Sequence, residues 1–520
     1  MGWLSRIGDF VRGLSGWRAR GFAFGAGAVS ALAFAPFEVF PLLLLGLAGL
    51  VLLLDGAQER PRAKRNAAWL GWAFGFGQFL VGLHWIGYAF MVDPSEHEWQ
   101  IPFVAVLFPG GLALFVAGAC ALAMRFWRMD ASRVFVFTAA YSLAEWLRGH
   151  VLTGFPWNIA GYGWGASLGV MQSAALFGVY GLSLLTVLLG ASLAGLFGKE
   201  PRWPLVSAMA GLFVVFFAAG ELRLATVSSE DVPGVRLRIV QPNIAQADKY
   251  RPELIDRNWD RLLQLSNLPA KNKPNLIIWP EAAPPFLLTR SPEALDEIAM
   301  LTGGKRVLMT GAVRALRRSG RADYFNSFYV FAESGRLLDV YDKFHLVPFG
   351  EYLPFEDLMK QFGLTKLVGI NGSFATGDGP HTVVVPGAPP AGPLICYEIL
   401  FPGAVVGATR PGWFVNVTDD SWFGPWAGPL QHLLVARIRA IEEGIPVIRA
   451  ANTGISAVID PLGRVRAQLG LNRTAVLDDG LPSMVVPTPF ARTGDYGYLL
   501  LLLGCVVAAY FAVYSSISYH

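Results

Sequence analysis

Charge is what this sequence most conspicuously lacks. No Asp, Glu, Lys or Arg occurs in 67–92, in 99–124 or in 151–198, and a water-facing surface cannot be built from such stretches. Charged residues make up 15% of the 520 positions and apolar residues 53%, with a mean hydropathy of +0.44. A soluble chain carries about 25% charged residues, so most of this one is membrane-embedded. Cysteine is scarce as well. Of the three, Cys120 and Cys505 lie in apolar runs and Cys396 stands alone between residues 221 and 494, which excludes a disulfide within that region. The net charge is only +4 and no basic tract is present, which excludes a nucleic-acid partner. The seven His residues form no cluster with ligand spacing, so neither a metal nor a cofactor is called for.

What is present divides the chain. A membrane span needs about 20 mostly apolar residues, and runs of that kind predict spans near 20–36, 38–54, 67–91, 101–125, 134–150, 168–197, 203–221 and 496–515. The first two read as a hairpin about the segment from Pro36 to Pro41. Arg18, Arg20 and the triplet Ala33-Phe34-Ala35 imitate a leader and its cleavage site, but another apolar run follows at once. Arg6, Arg12, Arg18 and Arg20, then Arg60, Arg62, Lys64 and Arg65, then Arg125, Arg128 and Arg133, then Lys199 and Arg202 flank alternate loops. The positive-inside rule places these segments and both termini in the cytoplasm, and residue 222 outside. The acidic loop Asp93-Pro94-Ser95-Glu96-His97-Glu98 suits the outer side. The loop Thr153-Gly154-Phe155-Pro156-Trp157-Asn158, followed by Gly161-Tyr162-Gly163-Trp164-Gly165, reads either as an aromatic interfacial belt or as a re-entrant piece that helps hold a lipid under the soluble domain. Glu145 and Arg148 are expected to pair beside it. The expected domains are therefore 1–221 with seven helices, 222–494 outside the cytoplasm, and 495–520 with the eighth helix and a cytoplasmic tail.

From Val235 the text changes to short β-branched runs alternating with amphipathic segments. Strands are predicted at Val235–Val240, Leu276–Trp279, Val307–Val313, Thr382–Val385, Gly392–Cys396, Trp413–Val417 and Val447–Ala451, and helices at Glu253–Leu265, Pro292–Leu301 and Leu430–Glu443. Hairpins are expected at Tyr324–Lys343 and Ala457–Leu469. This alternation predicts a layered α/β domain.

Three polar residues follow apolar strands in that domain: Glu281 after Ile277-Ile278-Trp279-Pro280, Lys343 after Tyr341-Asp342, and Cys396 after Leu394-Ile395. Strand ends are where sites of α/β domains are built. Singly, each has an ordinary reading, a surface charge for Glu281 or Lys343 and a small buried hydrophobe for Cys396. Together they suit covalent acyl transfer, with Glu281 as base, Cys396 as nucleophile and Lys343 as electrostatic clamp beside the backbone N–H of Tyr397 or its neighbour. An unperturbed thiol of pKa about 8.5 is a few per cent ionised at neutral pH, a deficit of about 2 kcal/mol that a nearby ammonium and a base would recover. Donors aimed at the developing oxyanion contribute more, a factor of about 10² to 10³.

The contexts IIWPE, YDK and LICYE resemble the nitrilase, or carbon–nitrogen hydrolase, superfamily, whose fold is an αββα sandwich. With seven spans before and one after, and with FPWN, KFHLVPFGEYLPFE, NVTDDSWFG, QHLLVARIRAIE and PFARTGD, nearly the whole chain resembles the apolipoprotein N-acyltransferase family. The resemblance implies a multi-pass α-helical membrane domain of eight spans carrying a nitrilase-like α/β sandwich on the periplasmic side of a bacterial inner membrane. It implies that an acyl chain passes from a phospholipid such as phosphatidylethanolamine, through a thioester on Cys396, to the N-terminal amine of a diacylglyceryl-cysteine apolipoprotein, the last step of lipoprotein maturation. It carries over Glu281, Lys343 and Cys396 as catalytic residues, with Glu351, Tyr397 and Glu398 in support. Trp157 and Trp422 match substrate-contact positions, and Tyr250 stands where some relatives carry Trp. The lightly charged aromatic stretch Phe344–Phe362, with Phe349 and Tyr352, reads as a packed loop or as an arm over an acyl entrance.

Two other readings compete. A membrane-anchored amidase or nitrilase would use the same trio with water as acceptor, although one span would suffice to anchor it. A transporter with an outer binding domain would need ionisable groups in its spans for an ion path, and 67–91 and 101–124 offer only His84.

Overall fold

The computed structural model describes residues 2–198, 202–318, 321–354, 356–361 and 373–518. The chain forms two compact units, Met1–Gly87 with Trp99–Val227 and Thr488–His520, and Tyr88–Glu98 with Ser228–Pro487.

In the first unit a helix occupies each position where the sequence predicts a span: Gly16–Ser30, Phe40–Gln58, Ala63–Gly82, Ile101–Arg125, Ser132–His150, Ala174–Leu193, Trp203–Thr226 and Tyr496–Ser518. Five described helices are long and apolar enough to cross a membrane: Phe40–Gln58, Glu98–Arg125, Ala174–Phe197, Trp203–Thr226 and Tyr496–Val513. Of the others, Gly16–Ser30 has 15 residues, or about 22 Å at 1.5 Å per residue, and Ser132–His150 carries Arg133, Glu145 and Arg148. The predicted run 67–91 is α-helical only to Gly82 and continues as a 3-10 turn over His84–Met91. The predicted 168–197 is broken into Leu168–Met171 and Ala174–Leu193, with a kink at Gly178, where φ is +68°. A Cβ there would lie 2.4 Å from the Phe490 ring, so both the backbone and the packing require glycine. An additional short helix, Trp3–Gly13, is held down at its end by Arg60, which donates to the carbonyls of Arg12 (2.9 Å) and Gly13 (3.1 Å).

Glu145 and Arg148 do not form the expected pair. Glu145 accepts from the backbone N–H of Ala160 (2.9 Å) and from the Ser183 hydroxyl, and Arg148 donates to the carbonyls of Phe155 (2.6 Å) and Trp157 (2.8 Å). Three residues apart on one helix face, the two side chains instead satisfy the backbone of the aromatic loop. A buried non-helical segment needs such partners.

The second unit contains two sheets. Strands β1 (Asp231–Gln241), β2 (Leu276–Trp279), β3 (Val307–Arg318), β4 (Arg321–Ala332), β5 (Arg336–Asp342) and β11 (Ala475–Pro482) form one, in the order β11-β1-β2-β3-β4-β5. Strands β6 (Ala391–Ile395), β7 (Trp413–Thr418), β8 (Val447–Ala451), β9 (Ser456–Ile459) and β10 (Val465–Leu469) form the other, in the order β10-β9-β8-β7-β6. Alternation with a period of two decides the layers. Leu237, Ile239, Leu276, Ile278, Phe328 and Val330 share one core with Ile395, Val415, Val417, Ile448 and Val458, so the sheets pack face to face. The intervening Val240, Ile277, Trp279 and Leu308 pack instead on Trp259, Leu262, Ile298 and Leu301, from helices Ile255–Ser266 and Pro292–Leu301. Helix Ala427–Glu443, almost wholly buried, ends at Gly444 in the left-handed region, a glycine stop.

One strand prediction is corrected and one strand is added. Thr382–Val385 forms no strand; Val383 makes a single antiparallel bridge to Ala391, and prolines at 380 and 386 bracket the segment. Strand β11 lies where the sequence predicts no element, since Asp478, Asp479 and Gly480 interrupt its apolar run, and it pairs with β1 from Arg236↔Gly480 to Gln241↔Ala475. Arg238, buried in β1, reaches Asp478 at 2.7 Å and supplies the charge partner that composition alone hides. Tyr88, from the stretch between helices of the first unit, lies against Gly424, where φ is +68° and a Cβ would meet its ring at 2.5 Å.

Strands β2 and β3 run parallel and β3–β4–β5 alternate, so β2 and β5 finish on the same side of their sheet. Glu281 and Lys343 leave from those two ends. Gly311 closes the β2 end: its N–H donates to Pro280 (3.2 Å) and its carbonyl accepts from Ala283 (3.0 Å). A Cβ on Gly311 would stand 2.6 Å from the Cα of Glu281. Gly311→Ala is therefore expected to lower stability by about 1–3 kcal/mol and to displace Glu281. Thermal unfolding of the purified variant, alongside its activity, checks both; a wild-type melting point with wild-type activity would refute the packing argument.

Candidate active site

Cys396 closes β6 with φ +51°. A non-glycine residue in the left-handed region costs about 1–3 kcal/mol and persists only where its surroundings impose it. Two groups impose it here. Glu398 folds back so that Oε2 accepts from the N–H of Ile395 (2.7 Å), while His432 Nε2 donates to the Cys396 carbonyl (3.2 Å). The residue is 6% exposed, and the Thr418 side chain at the end of β7 favours its ionised form.

Around it lies a buried charge network. The Lys343 ammonium is 2.9 Å from Glu351 Oε2 and 3.0 Å from its Oε1, and 3.6 Å from Glu281 Oε1. Asn326 uses its amide to join the two acids, donating to Glu281 Oε1 (2.7 Å) and to Glu351 Oε1 (2.9 Å). The other oxygen of Glu281 accepts from the backbone N–H of Asp419 (2.9 Å), and Val347 N–H binds Glu351 Oε2 (2.8 Å). Burial disfavours the charge on Lys343, but Glu351 and Glu281 outweigh it and raise the ammonium well above its ordinary value. Burial raises Glu281 too, opposed by Lys343 and assisted by Glu351. Cys396 is likewise pushed up, first by burial and then by the carboxylate of Glu281, against the pull of Lys343. The resting thiol therefore keeps its proton, and the thiolate anticipated from the sequence is not favoured before substrate arrives. The arrangement offers a base, a fixed cation and a protonated nucleophile in one buried volume, which is what acyl transfer to sulfur requires.

Behind Cys396 stands a second polar group. Asp420 Oδ1 is 3.0 Å from His432 Nδ1 and accepts from the Thr418 hydroxyl (2.9 Å), while its Oδ2 accepts from Arg449 (2.7 Å). Burial works against the Asp420 charge, but Arg449 and His432 hold the carboxyl well below the ordinary range.

The structure thus brings together Glu281, Lys343, Glu351, Cys396 and Glu398. Tyr397 follows the nucleophile and packs edge-on against Phe401 and His345, and the His345 ring stacks on Phe401 at 3.6 Å. Tyr250 and Phe349 are largely exposed and Trp422 and Tyr352 half-buried. Trp157 belongs to the first unit and is buried between Trp85 (4.7 Å) and Phe155 (6.0 Å). Of the stretch Phe344–Phe362, both Phe355 and Phe362 lie outside the described residues; Glu356–Gln361 is a short helix and Phe349 adopts φ +62°.

Sequence reasoning missed Asn326, Lys249, Asp419, Thr418 and the role of His432. Asn326 had a signal, since it shares the inward register of Phe328 and Val330 in β4, where a polar side chain needs a reason. Lys249 had none: within Gln246-Ala247-Asp248-Lys249-Tyr250-Arg251 it reads as surface charge. Among the described residues no three His, Cys, Asp or Glu side chains are placed to hold a metal ion.

Two family models match. One described as carbon-nitrogen hydrolase covers residues 236–486, and one described as apolipoprotein N-acyltransferase N-terminal domain covers residues 26–192. The chain is 44% identical over 511 residues to a protein of Rhodopseudomonas palustris named apolipoprotein N-acyltransferase, spanning 95% of both chains. It is 44% identical over 509 residues to one of that name from Bradyrhizobium diazoefficiens, again over 95% of both. A third, from Brucella melitensis, is 38% identical over 522 residues, covering 97% of this chain and 98% of its own.

Glu398 is a pH-sensitive element of the site. Burial pushes its carboxyl up to about 7, against the donors Ile395 N–H and Phe344 N–H, Tyr341 O–H and the charge of Lys343. A folded value above the ordinary one means that folding favours the protonated form. That stability is complete below about pH 4.5 and is lost as pH rises through about 7. Glu398→Gln, neutral at every pH, is expected to unfold at a lower temperature but without this decline between about pH 5 and about pH 8. Melting points across that range decide it, and an unchanged slope would exclude Glu398 as the titrating group.

Proposed function

The chain belongs to the apolipoprotein N-acyltransferase family, and on that premise we propose that it moves an acyl chain from a phospholipid to the amine of an apolipoprotein through a thioester on Cys396. The observation that supports this most directly is Glu281, held by Asn326 and the Asp419 N–H, with Lys343 3.6 Å away and the thiol of Cys396 in the field of both.

In the first half-reaction Glu281 removes the Sγ proton as the sulfur attacks the ester carbonyl carbon of the donor. The resulting oxyanion is met by the Lys343 ammonium and a backbone N–H next to Cys396. Collapse breaks the carbon–oxygen bond, Glu281 returns the proton to the leaving glycerol oxygen, and the thioester remains. In the second half-reaction the α-amine of a diacylglyceryl-cysteine attacks the thioester, gives a proton to Glu281 and becomes an amide, and the sulfur leaves and is reprotonated. The raised value of the thiol makes proton removal part of the attacking step, which is general-base catalysis. Glu351 keeps Lys343 in place, Glu398 shapes the backbone at Cys396, and Tyr397 flanks the nucleophile. Tyr250, Phe349, Tyr352 and Trp422 are proposed to touch the lipid substrates, and the segment from Phe344 to act as an arm over the acyl entrance. Both substrates are lipid-borne, so the site must open toward a membrane surface. That need fits eight spans with the catalytic domain in the periplasm and both termini in the cytoplasm, at a bacterial inner membrane.

Incubation with radiolabelled phosphatidylethanolamine in detergent tests the proposal. The wild-type chain is expected to gain the mass of one acyl group, and a synthetic diacylglyceryl-cysteine peptide to discharge it as amide. Cys396→Ala is expected to gain none while accumulating normally. Release of the label only as free fatty acid would favour hydrolysis, and an adduct that survives in Cys396→Ala would remove Cys396 as nucleophile. Exchanging Phe349 and Tyr352 together for Ser is expected to lower the turnover of intact protein about tenfold or more if the arm lines the acyl path; unchanged kinetics would end that idea.

A further inference from the structure

Lys249 is a second ammonium in this site, and nothing above gives it a task. It is 2% exposed, and a buried charge needs partners. Its Nζ lies 2.7 Å from Asp419 Oδ2 and donates to the backbone carbonyl of Glu281 at 3.2 Å. Asp419 in turn donates its own N–H to Glu281 Oε2 at 2.9 Å. The three contacts close a ring in which one ammonium holds both the main chain of Glu281 and the residue that grips its carboxylate. Both members of the pair are anchored from outside the ring. Asn452 Nδ2 donates to Asp419 Oδ1 (3.0 Å) and to the Ile244 carbonyl (2.7 Å), and Asn258 Nδ2 donates to the carbonyl of Asp248 (3.1 Å), next to Lys249.

We propose that Lys249, acting through its ion pair with Asp419, is a positioning residue that fixes the Glu281 carboxylate and sets the pH at which the acyl-enzyme forms. The inference rests on the reading of Glu281 as base. Six charged or titratable groups surround the matter: Lys343 after β5, Glu351 in the segment beyond it, Cys396 after β6, Asp419 after β7, and Lys249 and Tyr250 from the short helical turn after β1. Lys343 and Lys249 favour the ionised base, and Glu351 and Asp419 oppose it. Lys249 cancels Asp419, so deleting either leaves the other uncompensated beside Glu281.

The signs follow. Lys249→Met exposes the base to an unpaired Asp419, raises its pKa, and should move the acid limb of thioester formation up by about 1 pH unit. Asp419→Asn leaves Lys249 unpaired and should move it down by a similar amount, and the double variant should return it toward the wild-type position at a reduced rate. The experiment is single-turnover acylation of full-length protein by phosphatidylethanolamine in mixed micelles, read as intact mass against pH. Opposite shifts that cancel support the proposal, because a merely structural pair would slow all three variants without moving the limb. Wild-type acylation with both single-variant limbs at the wild-type pH overturns it alone, whereas a wild-type chain that forms no adduct overturns the function on which it depends. Should Lys249→Met not accumulate, the near-isosteric Asp419→Asn decides by itself: a downward limb supports the proposal and an unmoved limb overturns it.

Discussion

One ammonium shared by two carboxylates sets the terms for the rest of the catalytic unit. Lys343 is almost wholly removed from water, and burial of an ion costs several kcal/mol even after relaxation. A carboxylate at about 3 Å returns about 5 kcal/mol at an effective dielectric constant near 20, but the acid is buried as well, so one acid scarcely balances the pair. Glu351 is in direct contact and Glu281 stands a little further away, and Asn326 spans the two. The result is a cation that cannot give up its proton, and so acts through its field alone.

That constraint distributes the chemistry. The field of Lys343 is already divided between two acids, so it does not ionise the thiol at rest, and burial keeps Cys396 protonated. In the proposed reaction proton removal falls to Glu281, whose two oxygens are each held by a donor from a different half of the domain, Asn326 from β4 and Asp419 beyond β7. The Glu281 carboxylate is thereby oriented from both halves of the sandwich.

How much of this was legible in the sequence depended on what kind of signal a residue leaves. Period-two strands ending in a polar turn identified Leu276–Trp279 and Val447–Ala451 to the residue, along with the three polar groups at strand ends. Apolar runs poor in charge located each of the predicted helices of the first unit, though their ends shifted where glycine or a polar partner intervened, as at Gly178 and Gly82. Strand β11 was hidden because its acids are satisfied by arginines from other strands, Arg238 for Asp478 and Arg466 for Asp479. Lys249 and Asp419 were hidden for the same reason. A charge neutralised only by tertiary contact looks, in one dimension, like any solvated charge.

The segment Tyr88–Glu98 is contiguous with the helices of the first unit but counts with the second, where Tyr88 fills the space left by the absent side chain of Gly424. During synthesis this segment leaves the ribosome long before any strand of the sandwich exists. Its binding surface must wait for more than 300 further residues, and contacts of such sequence separation form late because loop closure precedes any gain. The order of assembly is thus written into a glycine: the turn after β7 can be finished only when a tyrosine made much earlier comes back to cover it.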